Sequence, residues 1–211
     1  MKPPQNNSIL QADFLYFCYQ DKALFSNFSA RIPPQITLIR GGDGCGKSTL
    51  LKLLAGVLPL QRGQLQINGI SLQKQPENYA AQVFLADLRT DAFDQLIAPD
   101  YFQLQRSNHA GFDDSVLAEL INGLSLEEHL HKQLFMLSTG SKRKVFLAAA
   151  LASGAQVTLL DDPFAALDAP SIRFVLGWLD AAASTSNRAF VIAGHVAPDR
   201  LSLAQIVDLG D

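Results

Sequence analysis

The first part of the chain alternates apolar and polar positions, which is the pattern of half-buried β-strands. The alternation runs over residues 9–39, with breaks at 20–22 and 33–34, and it predicts short antiparallel strands. Residues 35–39 are apolar at most positions and predict a buried strand. The N-terminal part of the chain is therefore expected to be rich in β-structure.

The rest of the chain alternates helical periodicity with short apolar runs. The predicted elements are a helix over 47–57, a β-hairpin over 63–69, a helical insertion over about 87–150, strands over 157–160 and 189–192, and a helix over 171–183. Short apolar runs separated by helices are typical of a parallel sheet with covered faces. We therefore predict a single α/β domain over 1–211, with a three-layer core around a parallel sheet, an antiparallel β-subdomain and a helical subdomain.

The composition of the chain indicates which partners and which cellular compartment to expect. The chain has 211 residues, 48% of them hydrophobic, which is enough for a substantial core. A net charge of −3 supplies no basic field for a nucleic acid, so we expect no nucleic-acid partner. Cys18 and Cys45 are too few for a disulfide framework and favour a reducing compartment.

Membrane targeting is not predicted from the sequence. The first eight residues are polar and lack the apolar run of a secretory signal. The longest strongly apolar run, over 145–151, is far shorter than the ~20 residues that span a bilayer. We expect a cytoplasmic protein whose membrane role, if it has one, comes through a partner.

A glycine-rich segment follows the buried strand at 35–39 and precedes the predicted helix. It matches the pattern G-x-x-x-x-G-K-[ST] at every position, and with the next residue it comprises Gly41, Gly42, Asp43, Gly44, Cys45, Gly46, Lys47, Ser48 and Thr49. Glycines allow backbone N–H groups to turn inward around phosphates, Lys47 reaches the β- and γ-phosphates, and Ser48 is placed to ligate Mg²⁺. The segment predicts nucleotide binding, although this loop serves many unrelated activities.

Two further segments carry candidate chemistry. Asp161 and Asp162 follow the strand at 157–160; Asp161 is the natural Mg²⁺ ligand and Asp162 the carboxylate placed to polarise a water. An Asp-Asp-Pro turn after a strand is also ordinary turn chemistry. Ser138 is placed to cap the helix that follows it, and Gly140 leaves the backbone open to a second anion.

With these motifs in this order, nearly the whole chain resembles an ATP-binding cassette (ABC) ATPase. The sequence Leu-Ser-Thr-Gly-Ser over 137–141 is similar to the family signature Leu-Ser-Gly-Gly-Gln. The resemblance implies that Ser138, Thr139 and Gly140 of this chain contact the ATP bound to a partner subunit. Asp168 resembles the family's dimer-loop aspartate, and His195 its switch histidine. Tyr19 resembles the aromatic residue that stacks on adenine.

The resemblance implies a function as well as a fold. It implies Mg-ATP as the bound nucleotide and a head-to-tail dimer, with a second copy or a relative, that hydrolyses ATP. It also implies an integral membrane transporter subunit as partner, and so a peripheral position at the inner face of the membrane. The compact length is similar to that of the ATPases of haem export in cytochrome c maturation and of small export systems.

Two positions depart from the family pattern. Asp87 stands where the family usually has a glutamine near Mg²⁺ and the attacking water, and as an alternative it is an ordinary loop aspartate. Asp162 stands where glutamate is usual, so its carboxylate is one methylene shorter and hydrolysis is expected to be slow. Both departures support an alternative function, a soluble ATP-binding switch or assembly factor with little hydrolysis.

Overall fold

The computed structural model describes residues 8–20, 22–198 and 201–210. Most of the polar N-terminal segment and Asp21 of the first predicted break lie outside these residues. In chain order the elements are β1 (Leu10–Tyr19), β2 (Lys22–Ile32), β3 (Gln35–Arg40), α1 (Lys47–Leu54), β4 (Arg62–Ile67), β5 (Ile70–Ser71), α2 (Pro76–Ala80), β6 (Val83–Ala86), α3 (Ala98–Asn108), α4 (Asp114–Gly123), α5 (Thr139–Ala152), β7 (Val157–Asp161), α6 (Ala169–Thr185), β8 (Ala189–Gly194) and β9 (Leu203–Asp208), with two 3₁₀ turns at Glu127–His129 and Leu134–Met136.

A five-stranded parallel sheet forms the centre of the fold, in the order β6-β7-β8-β3-β9. Successive side chains of a strand point to opposite faces, so the sheet has two cores. Leu159 and Val191 pack with α1 and the antiparallel strands, whereas Leu160 and Ile192 pack with the helices on the other face. The predicted three-layer α/β fold with a parallel sheet is confirmed.

The antiparallel sheet is also confirmed and has the order β2-β1-β4-β5. Its first two strands have ten and eleven residues, longer than the short strands predicted, and they pair from Leu10 with Ile32 to Tyr19 with Lys22. The predicted hairpin turn has Asn68 at φ 49° and Gly69 at φ 79°. Two consecutive positive φ values are those of a type I′ turn, which suits an Asn-Gly pair.

The helices differ from prediction at their ends. Helix α1 stops at Leu54 rather than at residue 57, because Gly56 takes a left-handed φ of 71° and ends the helix. Helix α6 starts two residues early, where Asp168 caps it and Pro170 fits its first turn. Between β6 and β7 the regular elements of the described chain are helical, as predicted. No helix in the described ranges is long and apolar enough to cross a bilayer.

Candidate functional site

Many of the predicted site residues lie at one edge of the parallel sheet. Because the strands are parallel, the residues that follow β3, β6, β7 and β8 all lie at the carboxyl edge. These residues are the glycine-rich loop from Gly41, Asp87, Asp162 and His195. Ligands of open α/β sheets bind at this edge, so the topology itself assembles the site.

The phosphate loop (residues 41–48) joins β3 to α1 by a backbone path that requires glycine at two positions. Gly44 and Gly46 have φ values of 77° and 103°, in the left-handed region that favours glycine. The Lys47 ammonium donates hydrogen bonds to the carbonyl oxygens of Gly41 and Gly42, both at 2.7 Å. Lys47 is therefore held over the loop, at the N-terminus of α1, where a phosphate would meet both its charge and the helix dipole.

The C-terminal strand supports the phosphate loop, although the sequence did not predict that strand. Gly42 N–H donates to the carbonyl of Gly210 at 3.1 Å, and Leu209 N–H donates to that of Arg40 at 2.9 Å. Asp208 accepts the Gly210 N–H and pairs with Arg40 at 2.7 Å, and these interactions lower the pKa of its carboxyl. The residues around β9 thus hold the strand end from which the loop departs.

Gly41 shows how closely the loop is packed. A Cβ there would lie 2.5 Å from the sulfur of Cys45 and 2.7 Å from the carbonyl oxygen of Gly210. Both distances are far below van der Waals contact, so only glycine fits. Cys45 is half-buried and its thiol lies beneath the start of the loop.

A pocket of about 350 Å³ opens above the phosphate loop. Its lining contains most of the predicted site residues and three others, namely Tyr19, Leu24, Asp43, Gly44, Gly46, Lys47, Ser48, Thr49, Arg89, Asp161, Asp162, Gly194 and His195. Gly41 and Gly42 line a neighbouring cavity with His195. The structure therefore brings most of the predicted phosphate-loop residues together with Ser48, Asp161 and Asp162, whereas Asp87 and Cys45 are absent from this lining.

Two predicted residues at the rim of the pocket make contacts within the site. The Tyr19 hydroxyl lies 3.3 Å from the Thr49 hydroxyl, and its ring packs edge-on against Phe17 with centroids 4.8 Å apart. His195 Nε2 lies 3.2 Å from an Asp43 carboxylate oxygen. This contact brings the residue after β8 against the phosphate loop, where Asp43 is almost fully exposed.

The two carboxylates after β7 have different surroundings. Asp161 ends the strand, whereas Asp162 has a left-handed φ of 49° and donates its N–H to the carbonyl of Ala193 at 3.0 Å. Aspartate and asparagine tolerate this conformation better than most residues. The Asp162 carboxylate lies 3.6 Å from the guanidinium of Arg89, a pocket residue that the sequence did not predict.

Asp87 lies beside the predicted metal ligands Ser48 and Asp161 rather than in the pocket itself. It is exposed at the end of β6 and lines a small niche with Ser48 and Asp161. One hydroxyl and two carboxylates form a set of oxygen donors, which is the chemistry that Mg²⁺ prefers. The residues at this niche therefore fit the metal that an ATP site requires.

The residues at the start of α5 lie outside the pocket. Ser138 caps this helix, accepting the N–H of Ser141 at 3.1 Å, as predicted. A Cβ on Gly140 would lie 2.5 Å from the carbonyl oxygen of Ala166, so the close approach of the loop after β7 demands glycine. Thr139 is exposed and lines a separate groove with Lys142.

Asp168 caps α6 and links it to α5. It accepts the N–H of Ser171 at 2.8 Å and the Lys144 ammonium at 2.6 Å. These hydrogen bonds, that of Lys144 above all, hold the pKa of the Asp168 carboxyl well below its usual range. The residue therefore has a structural role within the single chain.

Comparison with known proteins identifies the family. The family model described as ABC transporter matches residues 25–165, more than half of the chain. The chain belongs to the ABC transporter family. The match covers the phosphate loop, the residues at the start of α5 and Asp161–Asp162, so three of the predicted motifs lie within the ABC region.

Curated relatives include ATP-binding subunits of several systems. The cytochrome c biogenesis ATP-binding export protein CcmA of Idiomarina loihiensis is 31% identical over 94% of this chain and 94% of its own length. The zinc transport system ATP-binding protein TroB of Treponema pallidum is 33% identical over 76% of this chain and 62% of its own. The chain spans about half of the spermidine/putrescine import ATP-binding protein PotA of Thermotoga maritima, at 47% of its length and 31% identity.

Solved structures with the same fold include ABC ATP-binding proteins. One, an ATP-binding subunit of an ABC transporter, covers 90% of this chain with a TM-score of 0.81 and 22% identity. A second, the ATP-binding protein of a putative ABC transporter from Pyrococcus furiosus, covers 95% of this chain and 96% of its own, with a TM-score of 0.77 and 23% identity. These neighbours confirm the ABC ATPase fold.

Proposed function

We propose that this chain is the ATP-binding and hydrolysing subunit of a membrane transporter, and that two such subunits close head-to-tail around ATP. The observation that carries the proposal is the pocket in which Lys47, Ser48, Asp161 and Asp162 meet around the N-terminus of α1. The chain acts as one ABC ATPase domain, with residues of about 87–150 as its helical subdomain. Its family membership supports ATP as the nucleotide.

The nucleotide binds along the loop that begins α1. Its phosphates meet the loop N–H groups and the Lys47 ammonium, which exchanges its bonds to the Gly41 and Gly42 carbonyls for a phosphate oxygen. The adenine lies against Tyr19, whose exposed ring is at the rim of the same pocket. Nucleotide affinity therefore depends on one cation from the loop and one aromatic ring from β1.

Mg²⁺ is held by Ser48 and Asp161, with Asp87 beside them, and when bound it supplies charge neutralisation for the phosphates. Asp87 adds a third oxygen donor but also a negative charge. Tight nucleotide binding is therefore expected to require more Mg²⁺ than a site with an uncharged glutamine.

Hydrolysis uses Asp162 and His195. Asp162 orients the attacking water and accepts its proton, a role for which a carboxylate at the sheet edge is suited. His195 approaches the pocket from the end of β8 and donates toward the terminal phosphate once it leaves Asp43. Asp162 thus acts on the attacking water, and His195 acts on the terminal phosphate.

A second ATPase subunit completes the site. Ser138, Thr139 and Gly140 lie at the start of α5 and away from the pocket of their own chain. In a head-to-tail pair they cover the pocket of the partner, where a helix N-terminus neutralises phosphate charge and excludes water. Asp168 lies on the same side of the fold as α5, to which Lys144 ties it.

The curated relatives support a membrane partner. The relatives named above are ATP-binding proteins of zinc transport, of spermidine/putrescine import and of export in cytochrome c biogenesis. By analogy this chain works with an integral membrane transporter subunit, and lies at the cytoplasmic face of the membrane through that partner. The end-to-end match to CcmA supports a compact single-cassette subunit.

One observation favours a second function. The Asp162 carboxylate is one methylene shorter than the glutamate usual at this position in the family, which is expected to slow hydrolysis, and it lies 3.6 Å from the guanidinium of Arg89. A chain with a short and paired carboxylate would bind ATP and scarcely hydrolyse it, as a soluble switch or assembly factor does. The two functions differ in one measurable quantity, the rate of phosphate release by the unmodified chain.

Protection of Cys45 tests whether ATP occupies the phosphate loop. At Mg-ATP about ten times its Kd, alkylation of Cys45 by a maleimide is expected to slow about tenfold, because the bound phosphates cover the loop. Cys18, half-buried in β1, is the control within the same chain and is expected to react equally with and without nucleotide. Peptide mass spectrometry separates the two sites. Equal labelling of Cys45 in both conditions would mean either that ATP does not bind in this loop or that the thiol points away from the bound phosphates.

A further inference from the structure

Arg89 stands at the meeting point of three parts of the molecule. It follows β6 by three residues and lines the nucleotide pocket, the niche of Ser48 and Asp87, and the groove beside Thr139. Its backbone N–H donates to the Asp87 carboxylate at 3.2 Å, and its guanidinium lies 3.6 Å from the Asp162 carboxylate. The backbone contact fixes the start of a long side chain whose head remains 62% exposed.

The charges around the pocket leave a role for such a cation. Three carboxylates line it, those of Asp43, Asp161 and Asp162, and Asp87 lies in the adjacent niche. Of the described residues, Lys47 and Arg89 are the two lysine or arginine side chains in the lining. A terminal phosphate placed near Asp162 would add negative charge to a site that is already acidic. A cation beside Asp162 would reduce the repulsion between these anions that Lys47 and Mg²⁺ leave uncompensated.

The geometry of a guanidinium suits it to join two anions. Arginine presents five N–H donors in a planar fork, so it can hold a carboxylate with one edge and a phosphate with another. In the described part of the chain the Arg89 head has a single ion pair, with Asp162, at a distance that leaves its donors unused. Donors therefore remain for a phosphate oxygen that enters the pocket.

We propose that Arg89 is a positioning residue of the ATPase site: it bridges the Asp162 carboxylate and the terminal phosphate of ATP, and so makes the site distinguish ATP from ADP. The proposal rests on the proposed function, because it needs a nucleotide in this pocket. Arg89 holds the short Asp162 side chain toward the phosphate, which offsets only part of the reach lost with the missing methylene. ADP lacks the bridged phosphate, so its binding does not use Arg89.

Paired affinities test the bridge. The dissociation constants of ADP and of the non-hydrolysable analogue adenylyl imidodiphosphate are measured by calorimetry, with Mg²⁺, for the parent, Arg89→Gln and Arg89→Lys. Arg89→Gln is expected to raise the dissociation constant of the analogue about tenfold, a modest effect because the Arg89 side chain is 62% exposed. The same variant is expected to change the dissociation constant of ADP less than about twofold. Arg89→Lys retains the charge and is expected to recover part of the loss.

The control variant is Arg31→Gln, which removes another exposed arginine that pairs with an aspartate, Asp13, far from the pocket. It is expected to leave both affinities unchanged. Steady-state kinetics add a second readout: at saturating Mg-ATP, Arg89→Gln is expected to lower kcat, which a loss of affinity alone would leave unchanged, because Asp162 is no longer held. An equal loss for both nucleotides, or no loss for either, would overturn the bridge. A parent that binds neither nucleotide would overturn the proposed function itself, and the bridge with it.

Discussion

Lys47→Ala is expected to weaken Mg-ATP binding by about thirtyfold to more than a hundredfold. Lys47 is held over the phosphate loop by the carbonyls of Gly41 and Gly42, and its removal takes away one charge-assisted contact worth about 2–3 kcal/mol. Calorimetric titration of the purified variant measures the change. The loop itself keeps its shape, because Gly44 and Gly46 and the support from β9 are untouched.

The matched control is Lys74→Ala, which removes an exposed lysine between β5 and α2. Its Mg-ATP affinity is expected to equal that of the parent, and melting temperatures check that both variants fold. If Lys47→Ala binds Mg-ATP as tightly as the parent does, the segment at 41–48 is not a phosphate loop. A loss in Lys74→Ala as well would point to a general effect of net charge.

Asp162→Asn is expected to lower the rate of ATP hydrolysis at least about a hundredfold while Mg-ATP still binds. An amide cannot accept the proton of the attacking water, and a general base contributes about 10²–10⁴ to a rate. Asparagine has nearly the same size as aspartate and tolerates the left-handed φ of 49° at this position, so the fold is preserved. Phosphate release and calorimetry on the same sample separate turnover from binding.

Asp162→Glu is the companion variant, because it keeps the carboxylate and lengthens the side chain by one methylene. Its turnover is expected to rise several-fold above that of the parent. A rate of Asp162→Asn equal to that of the parent would place the base elsewhere. A parent that binds Mg-ATP but releases no phosphate above the protein-free background would instead favour the switch function.

Features whose signal lies in residues adjacent along the chain could be predicted from the sequence. The phosphate loop carries its chemistry in eight adjacent positions from Gly41, and the hairpin turn carries its signal in Asn68 and Gly69. The capping role of Ser138 follows from its place before a helical run, and the structure confirms it. The central strands β3, β7 and β8 are short apolar runs, as buried parallel strands are.

Features that depend on distant residues escaped prediction. Strand β6 is apolar throughout but has only four residues, and β9 is an edge strand with alternating exposure, so neither gave a strong strand signal. The contact of Arg89 with Asp162 and that of His195 with Asp43 join residues far apart in the chain. Only the order of the strands brings them to one edge. A cation three residues beyond a short strand gave no signal until that strand was placed beside β7.

The mixing of two inactive variants tests the composite ATP site most directly. In a head-to-tail pair each ATP site takes its phosphate loop from one chain and residues 138–140, at the start of α5, from the other. Lys47→Ala damages the first part. Thr139→Glu damages the second by placing an anion against the phosphate, at an exposed helix N-terminus where glutamate does not disturb folding.

Each variant alone is expected to be inactive, but a mixed dimer contains one site with both parts intact. An equal mixture that associates at random has half its dimers mixed, so it should recover about a quarter of the parent's phosphate release per chain. A rate that stays at the average of the two separate variants would contradict the account, because it would mean that one chain does not complete the ATP site of another.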